Sequence, residues 1–334
     1  MKNLKRIQSE FKKSSPMPIL ETGKIENGAI TFTDLETSII IKDFCNTDII
    51  GCVNGQSLVK AIESIEGYKL EQTEDKIVVK NESEKVNLSF NTIEDYPNIN
   101  LGVANLIGYL TKTDLDHIYT GVKFIDRSNS NRFEIEHVYI NHSIVSTNVH
   151  YMYFEKTEGI IEGEVLLNEK TIKLLKICNP SEIEIQNVTY DKKVTSYKIT
   201  FDNIEIYQRK ICDKYANWEG VMPVTSDLDS SITLPNAFKD AAKKALTFAA
   251  GQQIELNTKD GLTIYSNDIN HGLDYSKSFH INSDGFLRVA FNGSYLNAVL
   301  NEIEGDITIK QFGANTRAHL INHNFLLMPV QLKD

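Results

Sequence analysis

The chain has 334 residues, of which 41% are hydrophobic and 24% charged, and its net charge is −10. That length exceeds one typical domain, and the composition is that of a soluble globular protein able to bury real cores. No apolar run approaches the roughly 18 residues of a membrane span, and residues 1–8 turn polar at once instead of forming a secretory leader, so a cytoplasmic protein with no membrane partner is expected.

Taken in chain order, apolar residues at helical spacing predict a first helix over 2–13, lined by Leu4, Ile7 and Phe11. A strand at 29–33 and a helix at 54–65, with Leu58, Ile62 and Ile65 on one face, follow. Strands are predicted at 77–79 and 137–140, with a helix between them inside 104–118. A further helix at 168–177 precedes the alternating pairs Ile183, Ile185 and Tyr197, Ile199, Phe201, which read as strands. The last third offers a helix at 234–247 (Phe238, Ala242, and Ala245 or Leu246), a strand at 261–265 and a helix at 292–303.

Two of these helices are copies of one another. Asn54-Gly55, Leu58, Ile65 and Glu66-Gly67 match Asn292-Gly293, Leu296, Ile303 and Glu304-Gly305 at a constant offset of 238 residues (292 minus 54) with no gap. A weaker copy starts at Asn168, which lies 114 residues after Asn54 and 124 before Asn292. The pattern predicts three tandem domains, at 1–103, 104–225 and 226–334, each with an opening helix, a second helix and a strand-rich body. That is an α+β architecture.

The four cysteines, Cys45, Cys52, Cys178 and Cys212, form no C-x-x-C pair and read as reduced thiols. His319 and His323 have an i, i+4 spacing but lie in a strand-like stretch without the glutamate of a helical zinc motif, so no metal is expected there. Phosphate-cradling glycine loops and a nucleophile elbow are absent, and no carboxylate pair stands out from a solvated surface. Neither a catalytic residue nor a cofactor is predicted, and the chain is expected not to be an enzyme.

Six segments, in register along the chain, carry a resemblance. They are Ser15-Pro16-Met17-Pro18-Ile19-Leu20 with Ile30-Thr31-Phe32-Thr33-Asp34-Leu35-Glu36, Asp95-Tyr96-Pro97-Asn98, Ser146-Thr147-Asn148-Val149-His150-Tyr151-Met152, Tyr215-Ala216-Asn217-Trp218-Glu219-Gly220-Val221-Met222-Pro223, Phe291-Asn292-Gly293-Ser294-Tyr295-Leu296, and Leu327-Met328-Pro329-Val330-Gln331-Leu332. Together they resemble the beta subunit of bacterial DNA polymerase III, the sliding clamp. The chain departs from that pattern where the family's middle motif has glycine and arginine, which are Val149 and Tyr151 here, and where the linker's first proline is Ala216. It looks like a divergent member.

The resemblance implies a homodimer in which two three-domain chains close a six-domain ring around double-stranded DNA, with helices lining the hole. It also implies DNA polymerase and clamp loader as partners, in DNA replication, with processivity as the function. The helices as delimited carry +6 against the chain's −10, leaving −16 elsewhere, so an acidic protein can still present a positive lining. Lys12, Lys13, Lys173, Lys239 and Lys243 are the candidate DNA-facing residues. Their long side chains would give sequence-independent phosphate contact that permits sliding, which base-reading pairs would not. Mapped by the resemblance, a partner-peptide groove would use Tyr119, Thr147, Val149, His150, Met152, Val221, Tyr295, Leu327, Met328, Pro329 and Val330. Leu246 or Phe248 on one chain, against Tyr96 or Leu101 on the other, would serve the subunit contact. The rival expectation is a clamp-shaped adaptor between proteins that never encircles DNA.

Overall fold

The computed structural model describes residues 3–11, 17–99, 102–128, 131–249, 252–268, 270–281, 287–312 and 319–332. Among them are six α-helices: α1 (Leu4–Glu10), α2 (Gly55–Ser64), α3 (Lys112–Gly121), α4 (Glu169–Cys178), α5 (Phe238–Thr247) and α6 (Gly293–Glu302). The remaining regular structure is strand and short 3-10 turns, so the α+β class is observed.

The predicted repeat is present to the residue. Helices α2 and α6 start and stop 238 residues apart (293 minus 55, 302 minus 64), and α4 stands 114 after α2 (169 minus 55). Each springs directly from a strand through an asparagine that is still outside the helix. A helix leaves its first backbone N–H groups without intrahelical partners, and an N-cap side chain supplies one. Asn54 Oδ1 accepts from Ser57 N at 3.0 Å, and Asn168 Oδ1 accepts from Thr171 N at 2.7 Å. Asn292 Oδ1 accepts from Ser294 N at 3.0 Å and from Tyr295 N at 3.3 Å. The glycine after two of these caps is explained by close approach. A Cβ on Gly55 would stand 3.1 Å from Gln8 Cγ, and one on Gly293 would stand 2.9 Å from Leu246 Cδ1. Gln8 and Leu246 are themselves 238 residues apart, so the repeat extends to the helix packed against each glycine.

The chain divides into two compact units. One holds residues 1–122, 137–144 and 156–214, and the other holds 123–136, 145–155 and 215–334. In the first unit, α1 packs against α2 and α4, and α3 against α4. Its largest sheet runs, in spatial order, Ile160–Ile161, Val103–Thr111, Glu182–Tyr190, Lys193–Phe201, Ile204–Arg209, Thr37–Ile41, Ala29–Thr33, Thr22–Glu26, Gly51–Asn54, Lys85–Asn91, Lys76–Lys80 and Lys69–Gln72. Every pairing recorded within it is antiparallel, for example Glu205↔Ile40 where Ile204–Arg209 meets Thr37–Ile41. Alternate residues such as Ile25, Ile30, Phe32, Ile39, Ile185 and Ile206 are fully buried, which is the period-2 signature of a sheet with one covered face.

In the second unit, α5 and α6 pack on each other and share one core with two groups of strands. One group is Leu273–Phe279, Leu262–Asp268, Gln253–Asn257, Arg288–Asn292 and Pro329–Val330. The other pairs Phe325–Leu327 with residues 151–153 on one side and with His319–Ile321 on the other, and continues through Ile307–Phe312 to Leu228–Leu234. The chain therefore crosses from one group to the other within Leu327, Met328 and Pro329.

One predicted helix is misplaced. Residues 103–111 form a strand, and the helix runs over Lys112–Gly121. The reason is local: the helix waits for the Thr111-x-x-Asp114 capping box, in which Thr111 N donates to Asp114 Oδ2 at 2.8 Å. A strand, Leu228–Leu234, likewise precedes α5, so the two later thirds do not open with a helix.

Asn168 offers a direct measure of the strand-to-helix turn, because its side chain also donates to Thr37 Oγ1 at 3.1 Å. Asn168→Ala removes a cap and a cross-sheet bond, and we expect a loss of about 1–2 kcal/mol of unfolding free energy in urea titration. An unchanged midpoint would show that the cap is not what holds the turn.

Candidate partner groove and nucleic-acid interface

Of the groove residues in the second unit, Thr147, Val149, His150, Tyr295, Leu327 and Met328 meet at or beside the loop 147–150, whereas no contact joins Val221 to it among the described residues. Thr147 Oγ1 donates to Tyr151 O at 2.7 Å and accepts from Val149 N at 3.0 Å. Asn148 Oδ1 accepts from His150 N at 3.0 Å and from Tyr151 N at 3.1 Å. These bonds close a tight turn and leave Val149 in the left-handed region, at φ 79°. The turn is anchored on both sides. The His150 ring stacks on Tyr295 of α6 (centroids 5.4 Å apart, planes at 16°), and Tyr151 meets the same ring edge-on at 4.9 Å. Met328 N donates to His150 O at 2.8 Å, just where the chain passes between strand groups, and Tyr151 pairs with Leu327. Phe291 and Ala290 pair with Pro329 and Val330.

The proposed positions thus fall into three classes. Val149, His150, Val221 and Val330 are exposed, and Thr147, Tyr295, Met328 and Pro329 are half-buried, so these eight can meet a ligand. Met152 and Leu327 are core residues at 3% and 0% exposure and can only support the floor. Tyr119 belongs to the other unit, where it is buried on α3 with Lys112 Nζ 5.4 Å and Lys176 Nζ 5.9 Å from its ring centroid. Sequence reasoning missed the supports. Asn148 organises the turn, and Phe124, Tyr151, Tyr153 and Phe325 form an aromatic cluster beneath it, with Phe124 5.2 Å from Tyr151 and 5.3 Å from Phe325. An Asn followed by two residues and a strand was the available signal for the first; nothing local signals the second.

Behind the groove, His319 pairs with Leu327 across the strands and meets Phe291 edge-on at 5.3 Å. Neither of its ring nitrogens has a hydrogen-bond partner among the described residues, and burial pushes the imidazole down to about 4. His323 is exposed beside Glu155 at 3.2 Å, so the two histidines do not converge. Among the described residues no group of three or more metal-ligating side chains is found.

The nominated lysines differ in what holds them. Lys12 and Lys13 lie outside the described residues. On α4, Lys173 is exposed and paired with Glu169 one turn back at 3.3 Å, a contact worth only a few tenths of a kcal/mol. On α5, Lys239 gives its ammonium to the carbonyl of Ile303 at the C-terminal end of α6, whereas Lys243 and its neighbour Lys244 are exposed. Lys170, not nominated, is occupied by Asp34 at 2.5 Å and by the Phe11 ring at 3.9 Å. Lys244 and Lys176 were missed, although both are exposed on these same helices.

The subunit-contact candidates need one correction. Tyr96 is buried in its own unit, its hydroxyl donating to Thr31 O at 3.0 Å, so it has no surface to offer a second chain. Leu101 lies outside the described residues, Leu246 packs against the core of the second unit, and Phe248 stacks on Tyr275 at 5.8 Å. Lys69–Gln72 is one edge of the first unit's largest sheet, opposite Ile160–Ile161, and Leu273–Phe279 is one edge of a strand group in the second, opposite Pro329–Val330; Lys69–Gln72 and Leu273–Phe279 are both mostly exposed.

The whole chain, superposed on solved structures, finds close likenesses. The fold is that of the bacterial sliding clamps. A DNA polymerase III subunit beta from Pseudomonas aeruginosa, solved bound to griselimycin, is similar with a TM-score of 0.83 at 18% identity, over 99% of this chain and 96% of that one. The beta subunit of Thermotoga maritima is similar at 0.81 and 17% identity, over 99% and 97%. That of Streptococcus pyogenes is similar at 0.85 and 15%, over the same shares. The three-domain clamp fold expected from the resemblance is therefore present. No family model matches the sequence, and no curated protein does. Among the described residues no helix is long and apolar enough to cross a membrane.

His319 yields a pH prediction. Its folded pKa lies below the ordinary value of 6.5, so between about 6.5 and about 4 the unfolded chain takes up a proton that the folded chain refuses. Stability is then full above 6.5 and falls as pH drops through that window, by up to the order of 3 kcal/mol. In His319→Leu, denaturation at pH 7 and pH 4.5 should differ by less than in the parent. An equal difference would assign the acid sensitivity to other groups.

Proposed function

We propose that this chain is a DNA sliding clamp: it encircles double-stranded DNA without reading its sequence and tethers a DNA polymerase and a clamp loader through the groove around Val149, His150 and Met328. The observation that carries the proposal is the clamp fold over 99% of the chain, at TM-scores of 0.81 to 0.85. A clamp has no chemistry to perform, and no catalytic residue is assigned.

In this reading the three domains are 1–103, 104–225 and 226–334, and two chains associate head to tail through the exposed edge strands Lys69–Gln72 and Leu273–Phe279. Two such contacts close a ring and cover backbone edges that would otherwise invite aggregation. Lys173 and Lys243, with Lys176 and Lys244, are the side chains we assign to the duplex, because each is exposed on α4 or α5. Lys239 is assigned a structural role instead. Its ammonium already answers a helix carbonyl, and moving it to a phosphate would leave that carbonyl unpaired. Weak, dispersed lysine contacts suit a protein that must hold and still slide.

Two measurements test this. The solution mass should be near twice 37.8 kDa, and the protein loaded on circular duplex DNA should stay bound until the circle is cut. Release that ignores linearisation would remove the ring topology. The double variant Lys173→Glu, Lys243→Glu should keep the dimer mass while DNA retention falls several-fold and becomes less sensitive to salt. Removing residues 328–334 should abolish binding of a labelled peptide with leucine and phenylalanine anchors.

A further inference from the structure

The largest sheet of the first unit has one edge that its own chain covers only in part. Strand Val103–Thr111 pairs with Glu182–Tyr190 along its whole length, from Thr189↔Val103 to Glu182↔Thr111. On its other side it meets the two-residue strand Ile160–Ile161, at Tyr109 and Gly108, and Glu162 N donates to Ile107 O at 2.7 Å. That close approach needs Gly108, because a Cβ there would stand 1.8 Å from Ile160 O. Residues 103–106 have no strand on this outer side among the described residues, and all four are exposed. Such an edge offers backbone N–H and C=O groups to any extended chain.

The side chains narrow the choice of chain. A bulge at Ile107, between the pairs Ile185↔Gly108 and Gln186↔Leu106, turns Leu106 and Tyr109 to one face although they are three residues apart. Directly paired residues share a face, so Ile160 and Glu184, each opposite Tyr109, join them there. The apolar members are open to solvent: Leu106 is 61% exposed and Ile160 58%. Carboxylates surround them. Glu182 and Glu184 alternate with the buried Ile183 and Ile185, Thr111 Oγ1 donates to Glu158 Oε2 at 3.3 Å, and Glu162 sits beside Ile107. All four glutamates are exposed. Lys198, opposite Gln186 on the same face, is already engaged by Glu205 at 2.8 Å. Arg209 stands three strands in from Val103–Thr111, about 14 Å away at the usual strand spacing.

We propose that the edge Val103–Leu106 is a docking site for an extended, cationic segment of another protein. The segment adds one strand to the sheet, lays an apolar residue on Leu106 and Tyr109, and sets lysine or arginine against Glu158, Glu162, Glu182 and Glu184. Charge selects this occupant. A second copy of the chain would bring the same four glutamates against the first four, and like charges facing one another across a strand pair are destabilising. Backbone pairing supplies affinity that any strand would share, and the acidic rim supplies the preference among strands. The edge shares no residue with the groove or with the strands assigned to the subunit contact, so the inference stands apart from the clamp reading.

The test is fluorescence anisotropy on the full-length protein with a fluorescein-labelled octapeptide of alternating lysine and valine. Its companions are an octapeptide of alternating glutamate and valine, and the lysine peptide with alternate backbone amides N-methylated. The lysine peptide should bind, more weakly as salt rises, and neither companion should. The variant Glu182→Lys, Glu184→Lys should bind it about tenfold more weakly, and Leu106→Ser about threefold. A control of equal charge change, Glu82→Lys with Glu84→Lys in the turn before Lys85–Asn91, should stay within about twofold of the parent. All these positions are exposed, and unchanged far-ultraviolet circular dichroism verifies that each variant folds. Failure of the parent to bind the lysine peptide overturns the inference. So does an equal loss in the edge and control variants, which would mean attraction to net charge alone. Undiminished binding of the N-methylated peptide overturns strand addition, and a fall in solution mass in Leu106→Ser assigns the edge to self-association instead.

Discussion

A strand that runs straight into a helix must satisfy the helix's first N–H groups at once, with no loop in which to find partners. This chain meets that demand with side chains at the turn itself: Asn54, Asn168 and Asn292, and Thr111 with Asp114. Because the caps are local, each helix starts at a defined residue and presents the same face to the sheet behind it. The rest of each unit follows from that placement. Leu58, Ile172 and Leu296, equivalent at the offsets of 114 and 238, are buried, and the glycines after Asn54 and Asn292 let a second helix approach within van der Waals contact. The tandem repeat is therefore a repeat of one turn and its packing, carried by sequences that otherwise diverge.

The second unit adds a constraint that no repeat supplies. Its chain leaves one group of strands at Leu327 and joins another at Pro329, so Met328 is held between them with its N–H given to His150. That crossing brings a surface turn, an α6 tyrosine and a late strand within reach of one another over a buried aromatic floor. The deep residues of the proposed groove belong to the core, and its rim residues are at least partly exposed. Met328 and Tyr295 are half-buried, whereas Leu327 is wholly enclosed. On the proposed reading, a preformed floor would reduce what a short peptide must lose in order to bind.

Electrostatics separates the lysines by task. A net charge of −10 makes any cationic helix face a local exception, and a lysine already engaged by the protein cannot serve a phosphate without losing its partner. Lys170, sandwiched between Asp34 and Phe11, and Lys239, on the Ile303 carbonyl, hold the fold. Lys173 and Lys243 remain at the surface, the first tied only by an exposed pair to Glu169 that salt would screen. A duplex held by such side chains would meet mobile charges rather than fixed donors, which favours attraction without registry.

Much of this was legible in the residue order. The 238-residue offset, the asparagine caps and the amphipathic spacing of α2, α4, α5 and α6 are local patterns, and local patterns survive because capping and face formation involve neighbours three or four residues apart. The same locality explains the error at 104–111, where Leu106, Ile107, Tyr109 and Leu110 can be read at either spacing and only the Thr111 capping box marks the change. Which proposed groove residues are reachable, which lysines are engaged, and that Tyr96 is buried were decided by tertiary structure. Each depends on a partner far away in the chain: Leu327 on Tyr151, Lys170 on Asp34, Lys239 on Ile303, Tyr96 on Thr31. A side chain's chemistry is written at its own position, but its burial and its free valences are set by what the fold brings beside it.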